Sequence, residues 1–199
     1  MATRTKSSGS ASSSPDRPKV SRAQKTREVQ EAITASALEL LAANGVDGLA
    51  LTKIAAHAGM SNGPLYGRYD SAEDVALELW DEKLRDHFRR LILEFDTFAS
   101  SNDSEPSEWL LQELETPSAL TAAAIEVVCV ARRFPLLVDS VRDEVEALFH
   151  HTCGAHPDIP PAVCSLRLTV PTGCILTSRS VPKSRPPWKA ILLRFRESA

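Results

Sequence analysis

The stretch from Leu49 to Tyr69, LALTKIAAHAGMSNGPLYGRY, constrains the fold more than any other part of the chain. Leu51, Ile54, Ala55 and Ala58 recur at helical spacing and predict a short amphipathic helix. Gly59 follows where the chain must turn through a left-handed conformation that glycine adopts cheaply. Met60 returns to the core. Ser61 and Asn62 then offer side-chain oxygens to the unpaired N–H groups of a second helix. Pro64 falls in the first turn of that helix, where its missing donor costs nothing. Leu65 and Tyr69 are placed to point inward, and Asn62, Gly63, Tyr66 and Arg68 outward. Two short helices about a glycine corner make a helix-turn-helix, whose second helix enters the DNA major groove.

The flanks extend this pattern in both directions. Val29, Ile33, Ala37, Leu40 and Leu41 form one apolar stripe that stops at Asn44-Gly45. Ser71 predicts the start of a long helix, with Glu73 and Asp74 in the first turn, where the dipole favours them. Its stripe runs Leu77, Trp80, Leu84, Phe88, Leu91, Phe95. A polar break over 99–107 precedes a short helix from Glu108 to Glu115. Pro117 opens another helix carrying Leu120, Ala124, Val127, Val128 and Ala131, and Pro135 opens a third. Strand-like alternation is missing, so the fold class is all-α.

A three-helix head feeding a long fourth helix resembles the TetR family of bacterial transcriptional repressors. The residues that carry the resemblance are Ile54-Ala55, Gly59, Ser61, Leu65-Tyr66, Tyr69 and Ser71 with Glu73. It is tight from Thr26 to about Phe95 and general from there to His151. It implies a helix-turn-helix DNA-binding domain over 26–70, then a helical ligand-binding and dimerisation domain over 71–150. A protein of this kind is cytoplasmic, binds double-stranded DNA as a homodimer, and represses until a small-molecule effector moves its fourth helix and changes the spacing of two heads. The family pattern carries DNA contact onto Thr52, Lys53, Ser61, Asn62, Gly63, Tyr66 and Arg68. Arg68 suits either guanine-edge readout or a phosphate clamp. Trp80, Phe88, Trp109 and Phe134 are candidates to line an effector pocket, although aromatics at helical spacing also make a plain core. Three positions depart from the family pattern. Ala50 stands where a Ser or Thr usually caps helix two, Pro64 replaces a threonine, and Ala72 replaces a lysine. Each lost phosphate contact flattens the salt dependence of DNA binding by about one unit.

Charge is distributed unevenly along the 199 residues. Residues 1–25 hold six Lys/Arg against one acid, residues 26–150 hold 10 against 23, and residues 151–199 hold seven against two. So acidic a middle cannot attract DNA through a general positive field. The Ser-rich stretch 1–25 reads as a disordered basic arm, with Arg22 and Lys25 nearest the head for phosphate or minor-groove contact. Cys129 reads as a small core residue.

The texture changes after His151. Residues 151–199 contain seven of the 13 prolines and three of the four cysteines, and they read as an irregular or disordered tail. In the family this is where the dimer helices lie, which puts pairing in doubt here. A change of reading frame near codon 150, a genuine disordered extension, and a metal or redox module on His150, His151, Cys153, His156, Cys164 and Cys174 are the three readings. The ligand spacings match no compact zinc pairing, so no metal is assigned. The resulting alternative function is a truncated regulator, or a helical ligand-binding protein, with impaired dimerisation and weak operator binding. Catalytic constellations, cofactor motifs and membrane spans do not feature in the reading.

Overall fold

The computed structural model describes residues 21–101 and 105–180, with side chains as far as 172. The expected arm over 1–20 and the end of the tail, 181–199, lie outside the described residues. Everything regular within them is helical, as the all-α reading requires: α1 (Arg22–Asn44), α2 (Leu51–His57), α3 (Gly63–Tyr66), α4 (Ala72–Leu79), α5 (Arg85–Ser100), α6 (Glu108–Glu115), α7 (Ala119–Val130), α8 (Pro135–Ala155) and α9 (Pro161–Ser180). Among these residues no single helix is long and apolar enough to cross a membrane.

The starts of these helices follow from their caps. Ser21 accepts from the Gln24 amide and begins α1 at Arg22. Arg22 and Lys25 therefore belong to a helix, which corrects their assignment to a disordered arm. Ser71 and Asp74 form a reciprocal capping box at α4. Ser118, one residue after Pro117, caps α7 through the Thr121 amide, so that helix begins slightly later than the proline suggested. Ala50 supplies no side-chain cap to α2.

The long fourth helix is built in three parts. A π-helical turn over Trp80–Leu84 joins α4 to α5. Trp80 and Leu84 are both fully buried there, with Leu79 and Phe88 beside them in one continuous core. That core runs from Ile33, Leu41, Ile54 and Leu65 in the head to Phe95, Leu110, Leu137 and Leu148 in the body. Cys129 lies on an exposed part of α7, not in this core. The side chain was misread because α7 is apolar nearly all round, so composition alone could not show which side faces out.

Residues 161–180 correct the expectation of an irregular tail. Pro161 sits in the first turn of α9, where no donor is needed, and Pro160 offers its carbonyl to the Val163 and Cys164 amides. Pro171 lies inside the helix and removes one rung of its ladder, at about 3 kcal/mol. Docking offsets that cost. Cys164 and Arg167 are buried, and α9 packs on α5, α6 and α8. Arg167 reaches into α5, donating to Asp96 Oδ1 at 2.9 Å and to the Ser100 hydroxyl at 2.7 Å. His156 Nε2 lies 3.2 Å from the other Asp96 oxygen and 2.8 Å from Ser100 Oγ. A second ion pair, Arg89 to the buried Glu144, ties α5 to α8 at 2.8 and 2.5 Å. The proposed metal module does not assemble, because no group of three or more potential ligands converges among the described residues. The side chain of Cys174 lies outside them.

Head and body meet where α1 packs on α7. Gly45 has φ 69° and ψ −172°, a conformation essentially restricted to glycine. A Cβ there would lie 2.6 Å from Glu126 Oε1 of α7, and the same oxygen accepts the Val46 amide at 3.3 Å. Gly45→Ala is therefore expected to destabilise the fold by about 1–3 kcal/mol, read by thermal unfolding. Gly63→Ala, where the added carbon meets open space, serves as the comparison. Equal stability of the two variants would remove the strain argument.

Candidate nucleic-acid interface

The helix-turn-helix closes on a small set of buried side chains. Leu51, Ile54 and Ala55 anchor α2, and Leu65 anchors α3. Gly59 turns the chain at φ 66°, and the Met60 amide donates to the Ala55 carbonyl at 2.9 Å. Tyr69 is buried behind α3 and accepts from Gln30 of α1 at 3.1 Å. Burial pushes its phenol pKa up. These contacts leave the outer face of α3 to solvent.

Each residue singled out for DNA contact is exposed: Thr52 and Lys53 at the start of α2, Ser61, Asn62 and Gly63 before and in α3, Tyr66, and Arg68. Tyr66 is one of three large apolar or aromatic side chains exposed among the described residues, at 56%. Asn62 does not cap α3 through its side chain. Its backbone is already helical, at φ −66° and ψ −22°, so it lacks the extended geometry that aims an N-cap oxygen at the following amides. The side chain is thereby spared a structural role.

Arg68 lies just beyond α3 rather than along it. Its Nη2 donates to both carboxylate oxygens of Glu78 on α4, at 3.0 and 3.1 Å. Its guanidinium carbon is 5.5 Å from the centre of the Tyr69 ring. Burial works against its charge, and Glu78 and Tyr69 together outweigh that, so its pKa is raised. On its other side, Arg68 lines a cleft of about 750 Å³ with Arg22, Lys25, Thr26 and Gln30 of α1, Pro64 of α3, and Gly67 just after that helix. The two cations expected to act from an arm thus flank α3 from helix α1. Glu78 was not visible as a site residue in the sequence. It lies in the last turn of α4, and only the fold brings it to Arg68.

The aromatic candidates for a pocket separate. Trp80 is fully buried in the core. Trp109 packs edge-on to His87 and under Arg90, whose guanidinium carbon is 4.0 Å from its ring centre. Phe134 sits at the turn into α8. Phe88 alone of the four lines an apolar cavity of about 290 Å³, together with Val128, Val145, Leu148, Leu168, Thr169 and Thr172 from α7, α8 and α9.

A two-helix unit anchored by buried leucines, with a polar outer face and flanking cations, is a helix-turn-helix head of the kind carried by DNA-binding transcriptional regulators. Residues 33–79 match the family model described as bacterial regulatory proteins, tetR family, so this chain carries the head of that family. The likeness continues past the head as a likeness of fold. The multidrug binding protein EbrR, solved in complex with imidazole, is 16% identical, with a TM-score of 0.57 over 86% of this chain and 92% of that one. The fatty acid degradation regulator FadR from Bacillus halodurans is 15% identical, with a TM-score of 0.51 over 84% of this chain and 92% of that one. No curated protein matches the chain.

Proposed function

We propose that this chain is a transcriptional repressor of the bacterial cytoplasm that occupies its operator through α3 and is released by a small molecule. The observation that carries the reading is the exposed outer face of the helix-turn-helix beside a cleft lined by Arg22, Lys25 and Arg68. Lys53 and Thr52 hold phosphate from the start of α2, Asn62 and Gly63 face base edges, and Tyr66 lies along the backbone. Arg68 acts as a phosphate clamp, since it stands beyond α3 and beside the cations of α1. The effector enters the cavity behind Phe88. The walls of this cavity are apolar apart from two threonine hydroxyls, which suits a small uncharged molecule. EbrR, a protein of the same fold, has been solved with a small molecule bound.

A single head buries little surface, so two heads on adjacent half-sites are needed for useful affinity. The alternative of a truncated, weakly binding monomer rests on residues 151–199 being unable to form the dimer helices. What supports pairing instead is that α9 is helical as far as Ser180. We assign pairing to a second copy of the chain.

The test is binding to a duplex from the adjoining intergenic region, followed by fluorescence anisotropy between 50 and 200 mM salt. Native protein is expected to bind with a steep salt dependence. Lys53→Ala is expected to weaken binding and flatten the slope by about one unit. Absence of salt-dependent binding by the native protein would end the repressor reading.

A further inference from the structure

Glu78 is an acid in contact with a cation that faces DNA, and simple electrostatics says it should weaken binding. Its surroundings point the other way. The carboxylate is held in turn by Gln30 of α1, whose amide nitrogen donates to the same Glu78 Oε1 that receives Arg68. Gln30 also donates to the Tyr69 hydroxyl, and the Tyr69 ring lies against the guanidinium. Arg68 is thus gripped by three elements: α1 through Gln30, α4 through Glu78, and the end of the helix-turn-helix through Tyr69. Both bonds to Glu78 come from Nη2 alone. Two of the three guanidinium nitrogens are left unused by the carboxylate, on a side chain that is 45% exposed and lines the cleft with Arg22 and Lys25.

We infer that Glu78 is a positioning residue for DNA binding: it holds Arg68 in the orientation that meets a backbone phosphate. The inference rests on the reading of the chain as a DNA-binding protein. Two opposed effects decide its sign. An unheld arginine must give up its rotamer freedom on binding, which costs roughly tenfold in affinity. A screened, partly exposed carboxylate near a phosphate costs about threefold or less. Pre-ordering wins, because Gln30 and Tyr69 have already fixed both partners in the free protein. Asp74, Asp81 and Glu82 line the opposite, acidic side of Arg68 with Glu78. None of them shares a hydrogen bond with Arg68, so they add repulsion without orienting it.

The experiment measures binding of native protein and variants to a mixed-sequence DNA duplex across a salt series, with thermal unfolding as a check on the head. Glu78→Ala is expected to weaken binding about three- to tenfold and to flatten the salt slope by about one unit, although it makes the protein less acidic. Glu78→Gln keeps an acceptor for Arg68 and should recover part of the loss. In an Arg68→Ala background, Glu78→Ala should leave binding unchanged or tighten it, because only repulsion remains to be relieved. This reversal of sign is a result that a merely structural role for Glu78 would not produce. Tighter binding by Glu78→Ala alone, or an equal loss in both backgrounds, would overturn the inference while leaving the DNA-binding reading intact. Failure of native protein to bind the duplex at any salt would instead remove the reading on which it rests.

Discussion

Arg167→Ala is expected to cost about 3–5 kcal/mol of stability, the usual penalty for breaking a buried ion pair from one side. In a chain of this size that lowers the unfolding midpoint by on the order of 10 °C. The Arg167 side chain is 3% exposed and that of Asp96 is 8% exposed, so neither charge can turn to water while α9 stays docked. Removing the arginine leaves the Asp96 carboxylate with His156 Nε2 at 3.2 Å and without its guanidinium partner. Lifting α9 away from α5 returns that carboxylate to water. Amide exchange in α9 should then quicken ahead of global unfolding. The converse variant, Asp96→Asn with Arg167→Met, removes both charges and should recover most of the loss, since well-packed neutral replacements of buried pairs are often neutral or better. The buried Arg167 Nε has no partner among the described residues, which further favours the neutral replacement. Denaturant unfolding of the single and double variants measures the cycle. An Arg167→Ala variant as stable as the native protein would mean that α9 is not held by this pair.

That ion pair also marks the limit of what could be read without coordinates. The head was legible because its information is local. Gly59, Leu65 and Tyr69 lie within a few residues of the contacts they make, and apolar spacing with one left-handed glycine specifies a helical corner. Caps were legible for the same reason at Ser71, and the extra helical turn before Thr26 follows from Ser21. The tail was misread because its local signal is wrong for the outcome. Pro171 inside a helix is locally unfavourable, and Arg167 finds Asp96 only across 71 positions of chain. Tertiary contact overrides propensity there. The Arg68–Glu78 contact is intermediate: ten positions apart, but joined through a turn whose geometry sequence pattern does not give. Trp80, Trp109 and Phe134 illustrate a different limit. Apolar periodicity shows which aromatics face inward, and it cannot distinguish a filled interior from the wall of a cavity.

Leu65→Ala should abolish useful DNA binding while leaving the body folded. Helix α3 has only four residues, Gly63 to Tyr66, and Leu65 is the one buried side chain within it. A helix so short has no stability of its own, because nucleation costs more than one turn of hydrogen bonds returns. It exists because Leu65, at 0% exposure, is packed into the core with Ile54, Ala55 and Tyr69. Truncation to alanine costs about 2–5 kcal/mol. The loss falls on the element that presents Asn62, Gly63 and Tyr66, so the expected defect in affinity exceeds tenfold. Tyr66→Ala is the informative contrast, since that ring is exposed and its removal should leave unfolding unchanged while weakening DNA binding alone. Circular dichroism would report a largely intact helical body in both variants, and anisotropy with duplex DNA would report the interface. If Leu65→Ala bound DNA as well as the native protein, the rod presented to the groove would have to be some segment other than α3. The cations of α1 would then be the first place to look.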